Sequence, residues 1–407
     1  MEKNPLVEGL SKTKTKKFKV KHPKTKVFRS NDPLLSVFMW GINHTVRELH
    51  HINVPVMLMP DDFRAFSKIK INNHAFNKEN LPSSFKVKEY CPLVFRNLRD
   101  RFGIDDRDFA RSLIKAPRPI SPLRGGATYY LSSDRMYVIK TLTTEEVEEM
   151  HHFLKQYHPY IVDRHAKTLL PQYLAMYRFT VDNVETYMVV IRNVFSPHLK
   201  VHKKYDLKGS SVDREATDKE REKALPILKD NDFLADGLKV SIGVEGKEAL
   251  METLNADSEF LANLHIMDYS LLLGIHDMDI AMEEALEQEE EEEDDEDYDS
   301  GGSAGMALTP PESPNSKRKS SSMAAGTIDP NMDIYAIPSK SMNQGQASPR
   351  HIYFLSIVDV LTHYGVKKAA AKAAKTVKYG SGVDGISTAE PEQYRKRFLA
   401  FISEAIE

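Results

Sequence analysis

The chain is poor in the features that would settle a reading quickly. It has one cysteine, Cys91, in 407 residues. No intrachain disulfide framework can form, and the expected setting is a reducing compartment. No uninterrupted apolar run approaches the roughly 18 residues that span a bilayer. The amino terminus lacks the apolar core of a signal peptide, so the expectation is an intracellular, soluble protein. No G-x-x-x-x-G-K-S/T phosphate loop occurs, and neither H-R-D nor D-F-G, which argues against an ordinary protein kinase. No Cys/His cluster suits zinc, and no G-x-S-x-G suits a hydrolase. Two partial matches fail on context. Gly380, Gly382 and Gly385 fit G-x-G-x-x-G, but they follow a Lys/Ala-rich stretch rather than a strand. Asp295, Asp297 and Asp299 open like a calcium loop, but Ser300 stands where glycine is required and the closing glutamate is absent.

What is present is a core and a split charge. The apolar fraction of 41%, with 9% aromatic residues, excludes wholesale disorder. Fifty-six Lys and Arg face 59 Asp and Glu, a net charge of −3. Fourteen of those acids lie in 280–316, which holds no base, so the remainder sets 56 bases against 45 acids. A surplus of eleven cations favours an anionic partner: nucleotide phosphate, nucleic acid or a membrane surface. Residues 1–30 read as a basic arm carrying Lys12, Lys14, Lys16, Lys17, Lys19, Lys21, Lys24, Lys26 and Arg29. Ordered sequence starts near Pro33, in two stretches of about 31–195 and 196–279. The Glu/Asp-rich, then Gly/Ser/Pro-rich span of about 280–350 reads as a disordered insert. Deleting 301–346 is therefore expected to leave folding and activity nearly intact.

The periodicity predicts a mixed α+β chain. Tyr129–Leu131 and Tyr137–Thr141 form a hairpin turned at Ser133-Asp134. Thr143 and Glu146 make a capping box, opening a helix that buries Val147, Met150, Leu154 and Tyr157. Tyr187–Ile191, Ser270–Ile275 and Tyr353–Val358 are apolar strands, and Leu250, Leu254, Leu261 and Leu264 mark a helix. Pro391 starts the last helix, with Tyr394, Phe398 and Ile402 inward.

One constellation resembles phosphoryl-transfer machinery. Arg124-Gly125-Gly126-Ala127 precedes a strand, and Lys140 ends the next. A small-residue turn can lie over phosphates and a strand lysine can neutralise them, although Lys140 also fits an ordinary surface lysine. Asp359, at the end of an apolar strand, is placed to hold magnesium; Asp268, in a loop before a strand, is placed to orient or deprotonate a hydroxyl. The basic, glycine-broken run Lys203–Ser210, followed by Arg214, fits either a phosphate site or a solvated hairpin.

Met267-Asp268-Tyr269-Ser270-Leu271-Leu272, Lys204-Tyr205-Asp206-Leu207-Lys208-Gly209-Ser210, Arg192-Asn193-Val194-Phe195 and the Val358-Asp359 strand end together resemble the phosphatidylinositol phosphate kinases. The resemblance runs from about Asp32 to the carboxyl terminus, interrupted in the insert. Val56-Met57-Leu58-Met59-Pro60-Asp61-Asp62 and Lys375–Lys378 resemble the type II branch, the phosphatidylinositol 5-phosphate 4-kinases. The resemblance implies a two-lobed α+β kinase fold (lobes about 31–195 and 196–407) with antiparallel sheets and a flat basic face toward membranes. It implies a homodimer joined through the amino-terminal lobe, with ATP and Mg2+ as cofactors. The implied reaction is ATP-dependent phosphorylation of the 4-hydroxyl of phosphatidylinositol 5-phosphate. A low-activity lipid-binding scaffold that modulates type I kinases is the alternative. No nucleic-acid partner is expected. The location is cytoplasmic and peripheral on membranes, with the nucleus also open.

By position, Lys140 matches the phosphate-binding lysine, Lys204 a lysine near the nucleotide phosphates, and Arg192, Asn193 and Val194 the linker that meets the purine. Asp268 matches the catalytic aspartate and Asp359 the magnesium ligand. Lys208 and Arg214 fall at the lipid-phosphate site. Ala371 and Lys372 lie in the activation loop, whose Lys368, Lys372 and Lys375 share one helical face suited to an anionic bilayer. Ala371 stands where the type I branch carries glutamate. Val56, Met57, Leu58, Met59, Pro60, Asp61 and Asp62 match a segment through which type II enzymes engage type I kinases. Ile191 replaces the threonine of GTP-tolerant members, so ATP preference is expected. Thr309, Ser313 and Ser348 precede prolines and are candidates for phosphorylation.

Overall fold

The computed structural model describes residues 28–72, 81–120, 126–297, 327–340, 350–361 and 390–407. Asp32 caps the first helix, α1 (Pro33–Leu49), by accepting from Leu34 N–H at 2.8 Å, with Pro33 at the position where a missing N–H costs nothing. The first sheet has seven strands: β1 (Phe66–Ile71), β2 (Phe85–Tyr90), β3 (Arg118–Ile120), β4 (Tyr129–Leu131), β5 (Tyr137–Leu142), β6 (Tyr173–Val181) and β7 (Val184–Arg192). Their order is β1-β2-β6-β7-β5-β4-β3, and every pairing is antiparallel. Helices α2 (Pro92–Arg101), α3 (Asp106–Ser112) and α4 (Thr144–Asp163) accompany it.

The second sheet has five strands: β8 (Lys203–Leu207), β9 (Ile227–Lys229), β10 (Ser270–Asp277), β11 (Ala336–Pro338) and β12 (His351–Val358). Its order is β11-β12-β10-β8-β9, antiparallel except for β9 on β8. Helices α5 (Asp218–Arg221), α6 (Asp230–Ala235), α7 (Gly243–Asn263), α8 (Met278–Asp297) and α9 (Pro391–Ala405) complete it. One apolar core runs through both sheets, and a satellite of Leu199, Val201, Ile352 and Phe354 lies where they join.

The mixed α+β architecture with antiparallel sheets is as expected. The 129–141 hairpin and the capping box of α4 are both present. Val147, Met150, Leu154 and Tyr157 are buried on α4, as are Tyr394, Phe398 and Ile402 on α9.

The span 280–350 requires a correction. Residues 280–297 continue α8, and residues 327–340 are packed into the fold. Tyr335 is 4% exposed, and its backbone carbonyl accepts from Leu355 N–H at 3.1 Å. Ile328 and Ala336 pack on the satellite core, and β11 pairs with β12. Four apolar side chains, Ile328, Tyr335, Ala336 and Ile337, find partners here even though the span as a whole is polar. Deleting 301–346 would therefore remove core, which overturns the expectation that the deletion is neutral. The amino-terminal arm up to residue 27, Arg124 and Gly125, the three proline-directed sites, and Ala371 and Lys372 of the expected activation loop lie outside the described residues.

Candidate active site

Lys140 owes its position to strand pairing. It sits on β5 opposite Val189 of β7 and Tyr129 of β4. Its Nζ donates to Glu146 Oε1 at 2.8 Å. The other oxygen of Glu146 accepts from Thr143 N–H at 2.9 Å, closing the capping box. One carboxylate thus caps α4 and holds the lysine. Burial opposes charge on Lys140, but Tyr129, Glu146 and Asp359 outweigh it and its pKa lies above the usual lysine value. The sequence reading recognised the cap and missed the pairing; the six-residue spacing from a strand end to the first helical turn was the signal.

The carboxylates come from the second sheet. Asp268 precedes β10 and Asp359 follows β12, and these strands pair so that Ser270 meets Val358. Both aspartates are left-handed, with φ of 68° and 63°. Lys208 reaches across from the turn after β8, its Nζ donating to Asp268 Oδ1 at 2.9 Å and to Asp268 O at 2.7 Å. Asp359 is exposed, yet charged groups of the protein crowd around it. Burial raises its pKa; Lys140 and Lys208 pull it down, and Asp206 and Asp268 push it up again. Lys140, Lys208, Asp206 and Asp268 all lie within electrostatic reach of Asp359.

Arg214 and the backbone of Lys208 are tied to Asp230, a carboxylate that the sequence pattern does not mark. Arg214 Nε donates to Asp230 Oδ2 at 2.6 Å, and its Nη2 bonds the Asp206 carbonyl and lies 3.4 Å from Asp206 Oδ1. Asp230, fully buried, also accepts from the N–H groups of Lys208 and Gly209 at 2.9 and 2.7 Å. Burial opposes charge on Arg214, and Asp206 and Asp230 more than restore it.

The expected purine linker is stitched in place. The Arg192 side chain is buried and bonds the carbonyls of Asn331 and Met332, and its N–H goes to Gln172 O. Burial lowers its pKa. Asn193 donates from N–H to Met136 O at 2.9 Å and from Nδ2 to Arg135 O at 2.9 Å. Of these three linker residues, Val194 alone keeps an N–H with no acceptor among the described residues. Lys204 Nζ lies 4.8 Å from the centre of the Phe195 ring, and burial lowers its pKa. Phe195 can sit there because Gly274 has no side chain; a Cβ would come within 2.4 Å of the ring.

Asp359, with Lys140 and Lys208 in reach, is a donor set that fits a phosphate group held together with a divalent cation. Among the described residues no three acidic or histidine groups form a ready metal cage. Magnesium normally takes one or two carboxylates and completes its shell with water and substrate phosphate, which Asp359 can serve. Val56, Met57 and Met59 are exposed, beside a short turn at Pro60–Phe63.

Comparison with known proteins bears on the same residues. A family model described as Phosphatidylinositol-4-phosphate 5-Kinase matches residues 117–405. Phosphatidylinositol 5-phosphate 4-kinase type-2 alpha of Mus musculus is 56% identical over 395 residues, covering 96% of each chain. The Homo sapiens protein of that name is 56% identical over 397 residues, again covering 96% of each. The type-2 beta protein of Rattus norvegicus is 54% identical over 386 residues, covering 93% of this chain and 92% of its own.

Proposed function

The chain belongs to the phosphatidylinositol phosphate kinase family, and from that premise we propose that it transfers the γ-phosphate of ATP to the 4-hydroxyl of phosphatidylinositol 5-phosphate, giving the 4,5-bisphosphate. The family model carries the name of a 5-kinase, whereas the full-length relatives are named 4-kinases. Identity of 56% over 96% of the chain is the more specific likeness and favours the 4-kinase. The carrying observation in the molecule is the meeting of the Lys140–Glu146 pair with Asp359 and Asp268 across the two sheets.

In this reading the two sheets are the two lobes and residues 193–202 join them. Lys140, held by Glu146, neutralises the nucleotide phosphates. The backbone at Val194 meets the purine, and Lys204 lies toward the phosphates. Asp359 would hold Mg2+, which would supply charge neutralisation at the transferring phosphate. Asp268, fixed by Lys208, orients the lipid hydroxyl and receives its proton. Arg214 and Lys208 supply the positive charge at the lipid-phosphate site and also hold Asp206 and Asp268 in place.

Membrane approach is supported by like charges set directly opposite one another. Lys68 faces Lys88, Lys88 faces Arg178, and Lys70 faces Lys86. Such rows are unfavourable alone and are relieved by an anionic surface. Strand β1 lies at the edge of its sheet, where a second copy can add, which supports the homodimer. The exposed apolar Val56, Met57 and Met59, followed by Asp61 and Asp62, favour the second reading, a scaffold that engages type I kinases. The deciding assay presents radiolabelled ATP with vesicles carrying each of the three monophosphorylated phosphatidylinositols. Label entering the 5-phosphate lipid alone supports the 4-kinase; no label above a protein-free blank supports the scaffold.

A further inference from the structure

Away from the reacting groups, one buried carboxylate joins elements that carry both halves of the cleft. Asp257 interrupts the apolar face of α7, between Leu254 and Leu261, and is fully buried. Its Oδ1 accepts from the Tyr160 hydroxyl of α4 at 2.6 Å and from the Thr168 hydroxyl at 2.7 Å. Its Oδ2 accepts from Leu169 N–H at 2.6 Å. The Leu169 carbonyl in turn accepts from Ile357 N–H at 2.8 Å and from Ser356 Oγ at 2.9 Å, at the end of β12. Asp359 stands two residues further on. At the other end of α4, Glu146 holds Lys140.

A leucine would continue the apolar face of α7 at no desolvation cost. A carboxylate is expensive there unless its acceptor capacity is used. Here three donors use it, and two of them belong to the segment 168–169 that braces β12. Arg164 also lies within electrostatic range. No other side-chain acceptor among the described residues meets Leu169 N–H, so the brace depends on this carboxylate.

We propose that Asp257 is a positioning residue for phosphoryl transfer: it fixes residues 168–169 against the end of β12 and thereby sets Asp359 relative to the Lys140–Glu146 pair. This rests on the reading of Asp359 as the ligand of the metal–nucleotide complex. Asp257→Asn keeps the volume but turns an amide N–H2 toward one of the donors. Tyr160→Phe removes one of the three bonds and leaves the Leu169 brace, so it is the milder perturbation.

The test measures two things on the full chain. One is the rise in melting temperature on adding MgATP. The other is kcat, KM for ATP and the Mg2+ concentration for half-maximal activity on vesicles of phosphatidylinositol 5-phosphate in phosphatidylcholine. Losing a group behind a metal ligand typically costs about 10- to 100-fold in metal affinity or activity. Asp257→Asn is expected to raise the half-maximal Mg2+ and lower kcat in that range, and to shrink the MgATP-induced rise. Tyr160→Phe is expected to move the same quantities in the same direction by a smaller factor, and it carries the test if Asp257→Asn fails to fold. A lowered melting temperature with unchanged Mg2+ requirement and unchanged MgATP-induced rise would make Asp257 purely structural and overturn the proposal. Absence of any MgATP-induced rise in the unmodified protein would instead overturn the reading of the cleft, and the proposal with it.

Discussion

The two sheets hold their charged cleft residues in opposite ways. The seven-stranded sheet presents Lys140 already paired, on a glutamate that its own helix cap holds still. The five-stranded sheet holds Asp206 beside Arg214 and Asp268 on Lys208, and adds Asp359, whose pKa burial raises while Lys140 and Lys208 pull it down more than Asp206 and Asp268 push it up. Lys140 is paired without a ligand; of the three acids, Asp359 carries the cost of burial, which an entering cation offsets. A site divided this way holds its shape on one side and gains binding energy on the other.

The sharpest way to break that contrast is Asp359→Asn. It should leave less than about a tenth of the lipid kinase activity, since a lost metal-ligand charge costs transition-state stabilisation. A carboxyl whose folded pKa is raised costs stability above its ordinary pKa, so the amide should raise the melting temperature in metal-free buffer at neutral pH. A drop measured by scanning calorimetry would mean that burial of the Asp359 carboxylate costs less than its attraction to Lys140 and Lys208 returns.

The five-stranded sheet also depends on residues 327–340, which flank the linker. Tyr335→Ala should destabilise by about 3 kcal/mol, the usual cost of emptying a buried aromatic site. Denaturant unfolding reads this directly, and a loss below about 1 kcal/mol would show that the segment merely rests on the surface.

Within the settled sheet, Glu89 repeats the acidic problem in miniature. Burial pushes its pKa from 4.5 to about 7, against Arg99 and the Tyr177 hydroxyl 3.0 Å away. A raised folded pKa means that the group's contribution declines as pH rises from about 4.5 to 7 and stays low above that window. Glu89→Gln should flatten this part of the stability–pH curve and add on the order of 2 kcal/mol at pH 8. Parallel curves for the two proteins would place the titration elsewhere.

The smallest effect is expected at the exposed turn before β1. Val56→Ser with Met57→Ser should change stability by less than about 0.5 kcal/mol and leave lipid kinase activity intact. Lost co-precipitation with type I kinases would then belong to that surface alone.

The legible part of this molecule is the part governed by neighbours in sequence. The hairpin at 129–141, the α4 cap and the inward face of α9 follow from local periodicity and capping chemistry. Asp359 was readable because an apolar strand ends immediately before it. Asp230 and Asp257 were not, since each is one acid in a polar or helical stretch. Their partners lie far along the chain, as Thr168 does from Asp257. The bonds from the Arg192 side chain to the carbonyls of Asn331 and Met332 were hidden for the same reason. The packed residues at 327–340 were obscured by composition: a few apolar side chains among many polar ones read as solvent-exposed until β12 offers them a partner strand.

The left-handed backbone at Asp268 and Asp359 has a consequence for how this chain can drift under mutation. Glycine adopts that conformation freely, and asparagine tolerates it better than most residues. Both are one base change from an aspartate codon. The substitutions that silence either carboxylate are thus among the easiest for its backbone to accept. A duplicated copy of such a gene can lose either carboxylate in one step while keeping the backbone around it and the exposed turn at Pro60–Phe63.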